Sequence, residues 1–147
     1  MSSKERPIKT LSEIVLRVNN LKTMREFYEN SLGLELLQHF ENIVFFKIAS
    51  GYGGLTQFLV LFDESAASDH RLRQYTGLDL EKTSLHHIAF AIGLSDYKTE
   101  HDRLLGLGLD VETGVHEWVH YRSLYVCDPD GNVVELVCYD ESVQWSS

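Results

Sequence analysis

The chain has 147 residues, 44% apolar and 24% charged, which excludes collagen-like, low-complexity and disordered readings and predicts one globular domain. Its 13 basic and 22 acidic residues give a net charge of −9, the opposite of the basic footprint that binds nucleic acid or an anionic membrane surface. No apolar run approaches the ~20 residues of a membrane span. The polar start lacks the apolar centre of a signal peptide, and Cys127 and Cys138 are not in CxxC spacing. Two buried thiols in a reducing cytoplasm are expected.

A β-branched run predicts a strand over 13–18, and Asn20 can cap a following helix. Leu21, Met24, Phe27, Tyr28 and Leu32 fall on one face of that helix, and Gly33 suits its left-handed end. Strands follow near 35–40, 43–49 and 56–62. Residues 63–83 are polar and read as a connection with a short helix around His70–Tyr75. A strand over 86–92 comes next, then Ser95 as the cap of a second helix carrying Tyr97, Leu104 and Leu105. Gly106 or Gly108 ends it. The last strands are predicted near 110–115, 121–127 and 133–139, with Asp128-Pro-Asp-Gly-Asn132 as a hairpin turn. Residues 1–10 and 140–147 read as loose tails.

These elements repeat. Glu13 to His87 spans 74 positions, and Gly33 to Gly108 spans 75, so one inserted residue aligns the halves. The same offset sets Val60 opposite Glu135. Each half reads as strand, helix and three strands: module one over about 11–62, a linker over 63–83 and module two over about 84–139. A unit of about 50 residues buries only a modest share of its surface, so the two are expected to share one domain. The predicted class is α+β, two tandem βαβββ modules forming an open, cupped mixed β-sheet with flanking helices. A second subunit would close an open sheet edge.

Strand side chains alternate between faces. Glu13, Val15 and Arg17 therefore share one face, and His87, Ala89 and Ala91 share another. On the last strand Glu135 lies with Val133 and Val137. Polar groups beside small alanines suggest a concave surface with room for a ligand. If a pseudo-twofold relates the modules, Glu13 and His87 approach its axis from equivalent strands and Glu135 joins them. One imidazole and two carboxylates suit Fe(II), Mn(II), Ni(II) or Zn(II). Taken singly, each has a plainer reading as a solvated or structural group. Glu135, inside Val-Val-Glu-Leu-Val, resists that reading most, because a buried lone carboxylate is costly. Arg17 is a candidate for a substrate carboxylate or phosphonate, or for an ion pair that holds Glu13. His86 points away from His87 as a surface or helix-packing residue, and His39, His70 and His101 carry no assigned role.

Val18-Asn-Asn-Leu21, Phe27-Tyr28, Leu32-Gly-Leu34, Leu85-His-His-Ile-Ala-Phe90 and Asp128-Pro-Asp-Gly-Asn-Val-Val-Glu-Leu136 together resemble the vicinal-oxygen-chelate superfamily over about residues 11–139. That superfamily includes glyoxalase I, extradiol dioxygenases, methylmalonyl-CoA epimerase, fosfomycin-resistance enzymes and bleomycin-resistance proteins. The resemblance implies metal donors at Glu13, His87 and Glu135, and a homodimer. Glu13 stands where His or Gln is usual. Val60 stands at a fourth donor position and cannot bind metal. A three-donor site, as in the dioxygenases and fosfomycin enzymes, is the implied arrangement.

The stretch His116-Glu-Trp-Val-His120-Tyr-Arg-Ser-Leu-Tyr125 before Glu135 is similar to the one in extradiol dioxygenases. That similarity implies His116 as acid/base and Tyr125 as hydrogen-bond donor, with His120 joining Arg17 as a substrate-binding candidate. Three functions follow as expectations. The first is a Fe(II)-dependent, ring-cleaving dioxygenase acting on a small molecule that chelates through adjacent oxygens. The second is a lyase or isomerase of glyoxalase or epimerase type. The third is a metal-free small-molecule binder like the bleomycin-resistance proteins, to which an acidic chain would attract a cationic drug.

Overall fold

The computed structural model describes residues 7–66 and 85–145. The chain divides into two compact units, Met1–Leu78 and Asp79–Ser147. The expected helix around His70–Tyr75 lies outside the described residues, as does most of the expected connection.

The first unit runs β1 (Glu13–Val18), α1 (Leu21–Glu26), β2 (Glu35–His39), β3 (Ile43–Ser50) and β4 (Thr56–Asp63). Its four-stranded sheet has the order β1-β4-β3-β2, with β1 parallel to β4 and the other pairs antiparallel. Asn20 caps α1 as the sequence predicts, its Oδ1 accepting from Thr23 N at 3.1 Å. The helix does not stay α-helical to Leu32. It widens into a π-helical turn over Phe27–Ser31, where Leu32 N donates to Phe27 O at 3.0 Å. The extra residue per turn lets both Phe27 and Tyr28 reach the core, with their rings 5.2 Å apart. They cover a buried sheet face of Leu16, Val18, Val44, Phe46, Leu59 and Leu61.

The second unit repeats that topology. It runs β5 (His87–Ala91), α2 (Tyr97–Gly106), β6 (Glu112–His116), β7 (Tyr121–Cys127) and β8 (Val133–Tyr139), in the order β5-β8-β7-β6. The described residues thus form two four-stranded mixed sheets, each with one α-helix, in two βαβββ modules. Ser95 is not the cap of α2. A 3₁₀ turn over Leu94–Asp96 precedes the helix and places Asp96 at the cap, without a side-chain bond. The core of this unit joins Ile88, Leu124, Val126, Val134, Leu136 and Cys138 with Leu104 of α2. The hairpin at Asp128 forms as expected: Asp128 Oδ1 accepts from Asp130 N at 3.0 Å and Asn132 N at 2.9 Å, and Gly131 takes φ 83°. No helix among the described residues is long and apolar enough to cross a membrane.

Residues 140–145 are not a loose tail. Asp140 and Val143 are buried. Asp140 Oδ2 accepts from Arg122 Nε at 2.6 Å, and its Oδ1 accepts from Ser142 Oγ at 2.6 Å. The Ser142 and Arg122 bonds lower its pKa to about 2. An unfolded Asp titrates near ~3.9, so the folded state favours the charged form. The stabilisation is fully present above that value and is lost as pH falls toward about 2. Asp140→Asn is therefore expected to flatten the acid limb of a plot of urea midpoint against pH. An unchanged limb would show that Asp140 does not couple to folding.

Candidate functional site

The second sheet has one apolar face, covered by α2, and one face that carries polar chemistry. Strand pairing sets His87 across from Val133, Ala89 across from Glu135, and Tyr125 across from both Glu135 and Glu112. Alternation then puts His87, Glu135, Ser123, Tyr125 and His116 on the same face. Ala89 and Ala91 are exposed on it, so small side chains leave space beside the polar ones.

Glu135 is the centre of this cluster and is 7% exposed. A buried carboxylate needs partners, and it has them on both oxygens. Ser123, itself fully buried, donates from Oγ to Glu135 Oε1 at 2.5 Å. The Tyr125 hydroxyl donates to the same oxygen at 3.3 Å. Oε2 instead faces His87 Nε2 at 3.2 Å. The carboxylate is therefore used asymmetrically: hydroxyls hold Oε1, and an imidazole stands at Oε2.

Tyr125 extends the chain to His116, whose Nε2 is 2.6 Å from the phenol oxygen. Burial raises the pKa of the Tyr125 phenol; the Ser123 hydrogen bond opposes this, and the Glu135 charge adds to it. Tyr125 thus keeps its proton and acts as a donor. Its ring lies over Gly114, where a Cβ would come within 2.9 Å of Tyr125 Cε2. A side chain there would push the ring off its path to His116.

Glu13 and Arg17 are on β1 of the first unit, paired in register with Phe58 and Phe62. Val60 is 1% exposed at the position of β4 that corresponds to Glu135 in β8, between Val15 and Phe45. The repeat thus keeps its backbone and drops its polar centre in the first unit. His120 has left-handed backbone (φ 60°), and its Nδ1 lies 2.6 Å from the Val143 carbonyl. Its ring packs 5.9 Å from Tyr139, which ties it to the C-terminal segment.

Two residues at this face carry no functional role in the sequence reading. Ser123 is one, although period-two spacing from Tyr125 marks it. His86 is the other. It does not point away from His87: the two Nδ1 atoms are 2.7 Å apart. His86 precedes β5, so strand alternation does not govern it.

Among the described residues no three His, Cys, Asp or Glu side chains gather as a ready metal site. His87 and Glu135 do fit as a pair of donors. Nitrogen and oxygen donors bind Zn(II)-like ions at ~2.0–2.2 Å, so two donors on one ion stand ~3 Å apart. The observed 3.2 Å matches that spacing.

Comparison with known proteins adds the family. The profile of the Glyoxalase/Bleomycin resistance protein/Dioxygenase superfamily matches residues 10–136. The fold is similar to that of lactoylglutathione lyase from Agrobacterium tumefaciens, at 26% identity and TM-score 0.64, covering 90% of this chain and 96% of that one. It is also similar to the fosfomycin resistance protein FosX from Listeria monocytogenes, at 23% identity and TM-score 0.65, covering 94% and 99%. An integron cassette protein from the mobile metagenome of the Halifax Harbour sewage outfall matches at 24% identity and TM-score 0.64, covering 89% and 99%. The chain belongs to the Glyoxalase/Bleomycin resistance protein/Dioxygenase superfamily.

Proposed function

We propose that this chain is a divalent-metal-dependent enzyme acting on a small molecule that chelates through adjacent oxygens, with ring-cleaving dioxygenation as the first candidate reaction. The observation that carries the reading is the run His116–Tyr125–Glu135–His87 on the polar face of the second sheet, hydrogen-bonded from His116 to Glu135 and closed by a 3.2 Å contact between Glu135 Oε2 and His87 Nε2. It sets a proton-handling pair directly beside a carboxylate–imidazole donor pair. Members of the superfamily commonly use divalent metals. His87 Nε2 and Glu135 Oε2 would hold the ion, and Glu13 is the sequence-derived candidate for a third donor. A bound Fe(II), Mn(II), Ni(II) or Zn(II) would supply Lewis acidity toward adjacent substrate oxygens and leave positions open.

The remaining chemistry belongs to the chain. Tyr125, neutral and donating, offers its proton to a developing negative charge on a substrate oxygen. His116 Nε2 exchanges a proton with the phenol across 2.6 Å. Ser123 keeps Glu135 Oε1 occupied, which aims Oε2 at His87. Arg17 and His120 are proposed as substrate contacts, and the protein is proposed to pair as a homodimer.

A second reading, a lyase or isomerase that moves a proton, draws support from the 26% identity to lactoylglutathione lyase. The test is metal content and titration with Fe(II), Mn(II), Ni(II) and Zn(II), for the wild type and for Glu13→Ala, His87→Ala and Glu135→Gln. Stoichiometric uptake lost in His87→Ala is the expected result. Substoichiometric metal with no gain on addition would overturn the enzyme and leave the metal-free drug-binding reading. Anaerobically Fe(II)-loaded protein should then consume dioxygen with catechols. Silence across a catechol panel, with turnover of a hemithioacetal, would select the second reading.

A further inference from the structure

His87 has two ring nitrogens, and both are engaged. Nε2 faces Glu135 Oε2 at 3.2 Å, and Nδ1 lies 2.7 Å from Nδ1 of His86. The rings are 5.0 Å apart and inclined at 73°. Neutral imidazole carries one N–H and one lone pair, and the bond made by one nitrogen decides the state of the other. A contact of 2.7 Å between two nitrogens holds one proton, because two N–H groups or two lone pairs would repel.

With both rings neutral, two arrangements satisfy that contact. In one, His86 donates and His87 Nδ1 accepts. His87 then carries its proton on Nε2, on the side of Glu135 Oε2, and has no lone pair there for a metal ion. In the other, His87 donates from Nδ1 to His86. Nε2 then presents a lone pair 3.2 Å from a carboxylate oxygen. Two acceptors at that distance are stable only with a cation between them. Going from the first arrangement to the second passes one proton from His86 Nδ1 to His87 Nδ1. The His87 Nε2 proton leaves to solvent, and exposed His86 takes one from solvent on its own Nε2. Both rings stay neutral and the net proton count is unchanged.

We infer that His86 is the positioning residue that sets which nitrogen of His87 carries its proton, and so switches His87 between a ring N–H beside Glu135 and a metal donor there. This rests on the reading of His87 and Glu135 as a donor pair. His86 touches neither the ion nor the substrate. It acts through His87, as partners of metal-bound histidines do when they fix tautomer and ring orientation.

The test uses the full chain with Zn(II) as the probe, and reads ring ¹⁵N shifts of His87 together with Zn(II) affinity by chelator competition. In wild type, loading should move the His87 proton from Nε2 to Nδ1. His86→Ala should lower Zn(II) affinity about 10–100-fold, the usual cost of losing such a partner. His86→Asn, whose amide can accept from Nδ1, should restore it to within about threefold of wild type. His87 ¹⁵N shifts that are the same in metal-free wild type and His86→Ala would overturn the inference. So would an affinity that His86→Ala leaves unchanged. A wild type that takes up no Zn(II), Mn(II) or Fe(II) would overturn the donor pair instead. The metal-free ¹⁵N comparison would then still decide, by itself, whether His86 sets the tautomer.

Discussion

Glu135→Gln is expected to lower divalent-metal affinity about a hundredfold or more while leaving the fold intact, because it removes a charged donor and keeps its shape. The amide oxygen can take the place of Oε1 and accept from Ser123 and Tyr125, which now bond that atom at 2.5 and 3.3 Å. The amide nitrogen then faces His87 Nε2, where the carboxylate oxygen stands at 3.2 Å. The Ser123 and Tyr125 bonds survive, the amide N–H faces His87 Nε2, which accepts it when His87 carries its proton on Nδ1, and the anion is gone. Urea unfolding should therefore shift by no more than about 1 kcal/mol. Glu135→Ala should behave differently. It strands the buried Ser123 hydroxyl, at a cost of about 1–3 kcal/mol. Binding of Mn(II) by Glu135→Gln at wild-type strength, measured by isothermal titration, would remove Glu135 from the donor set.

The contrast between Glu135 and its counterpart Val60 explains much of what the sequence makes legible. The repeat is readable because each module carries local signals. Asn20 bonds Thr23 three residues on, and Asp128 bonds Asp130 and Asn132. Such short-range bonds depend little on the rest of the molecule, so residue identity predicts them. Alternation along β5 and β8 likewise groups His87 with Ala89 and Ala91, and Glu135 with Val133 and Val137; Tyr125 is marked only by the resemblance to extradiol dioxygenases, and the strand register brings the three to one face. Three features are hidden for physical reasons. The π-helical turn at Phe27–Ser31 keeps the apolar spacing of an α-helix, and only packing against Phe46 and its neighbours rewards the extra residue. Ser95 loses the cap because a 3₁₀ turn moves the helix start to Tyr97. His86 is misplaced by extending strand alternation one residue too far, since β5 begins at His87. Ser123 is a different case: its spacing is visible, but its partner is twelve residues away and set by strand pairing.

Tyr125→Phe is expected to lower kcat about a hundredfold or more on whichever panel substrate the wild type turns over, with KM little changed. The phenol proton has two acceptors within reach, His116 Nε2 at 2.6 Å and Glu135 Oε1 at 3.3 Å. It can point at either, so the direction of the run can invert as charge develops on a bound substrate. Phenylalanine keeps the ring over Gly114 and removes only the hydroxyl. The fold should hold, because Ser123 still bonds Glu135. His116→Gln should produce a loss of similar size, since it breaks the other end of the same contact. If the two side chains form one proton-handling unit, the double variant should be no slower than the slower single variant. Losses that multiply would show that His116 and Tyr125 act independently. A Tyr125→Phe variant with wild-type kcat and an unaltered pH profile would assign the phenol to packing alone.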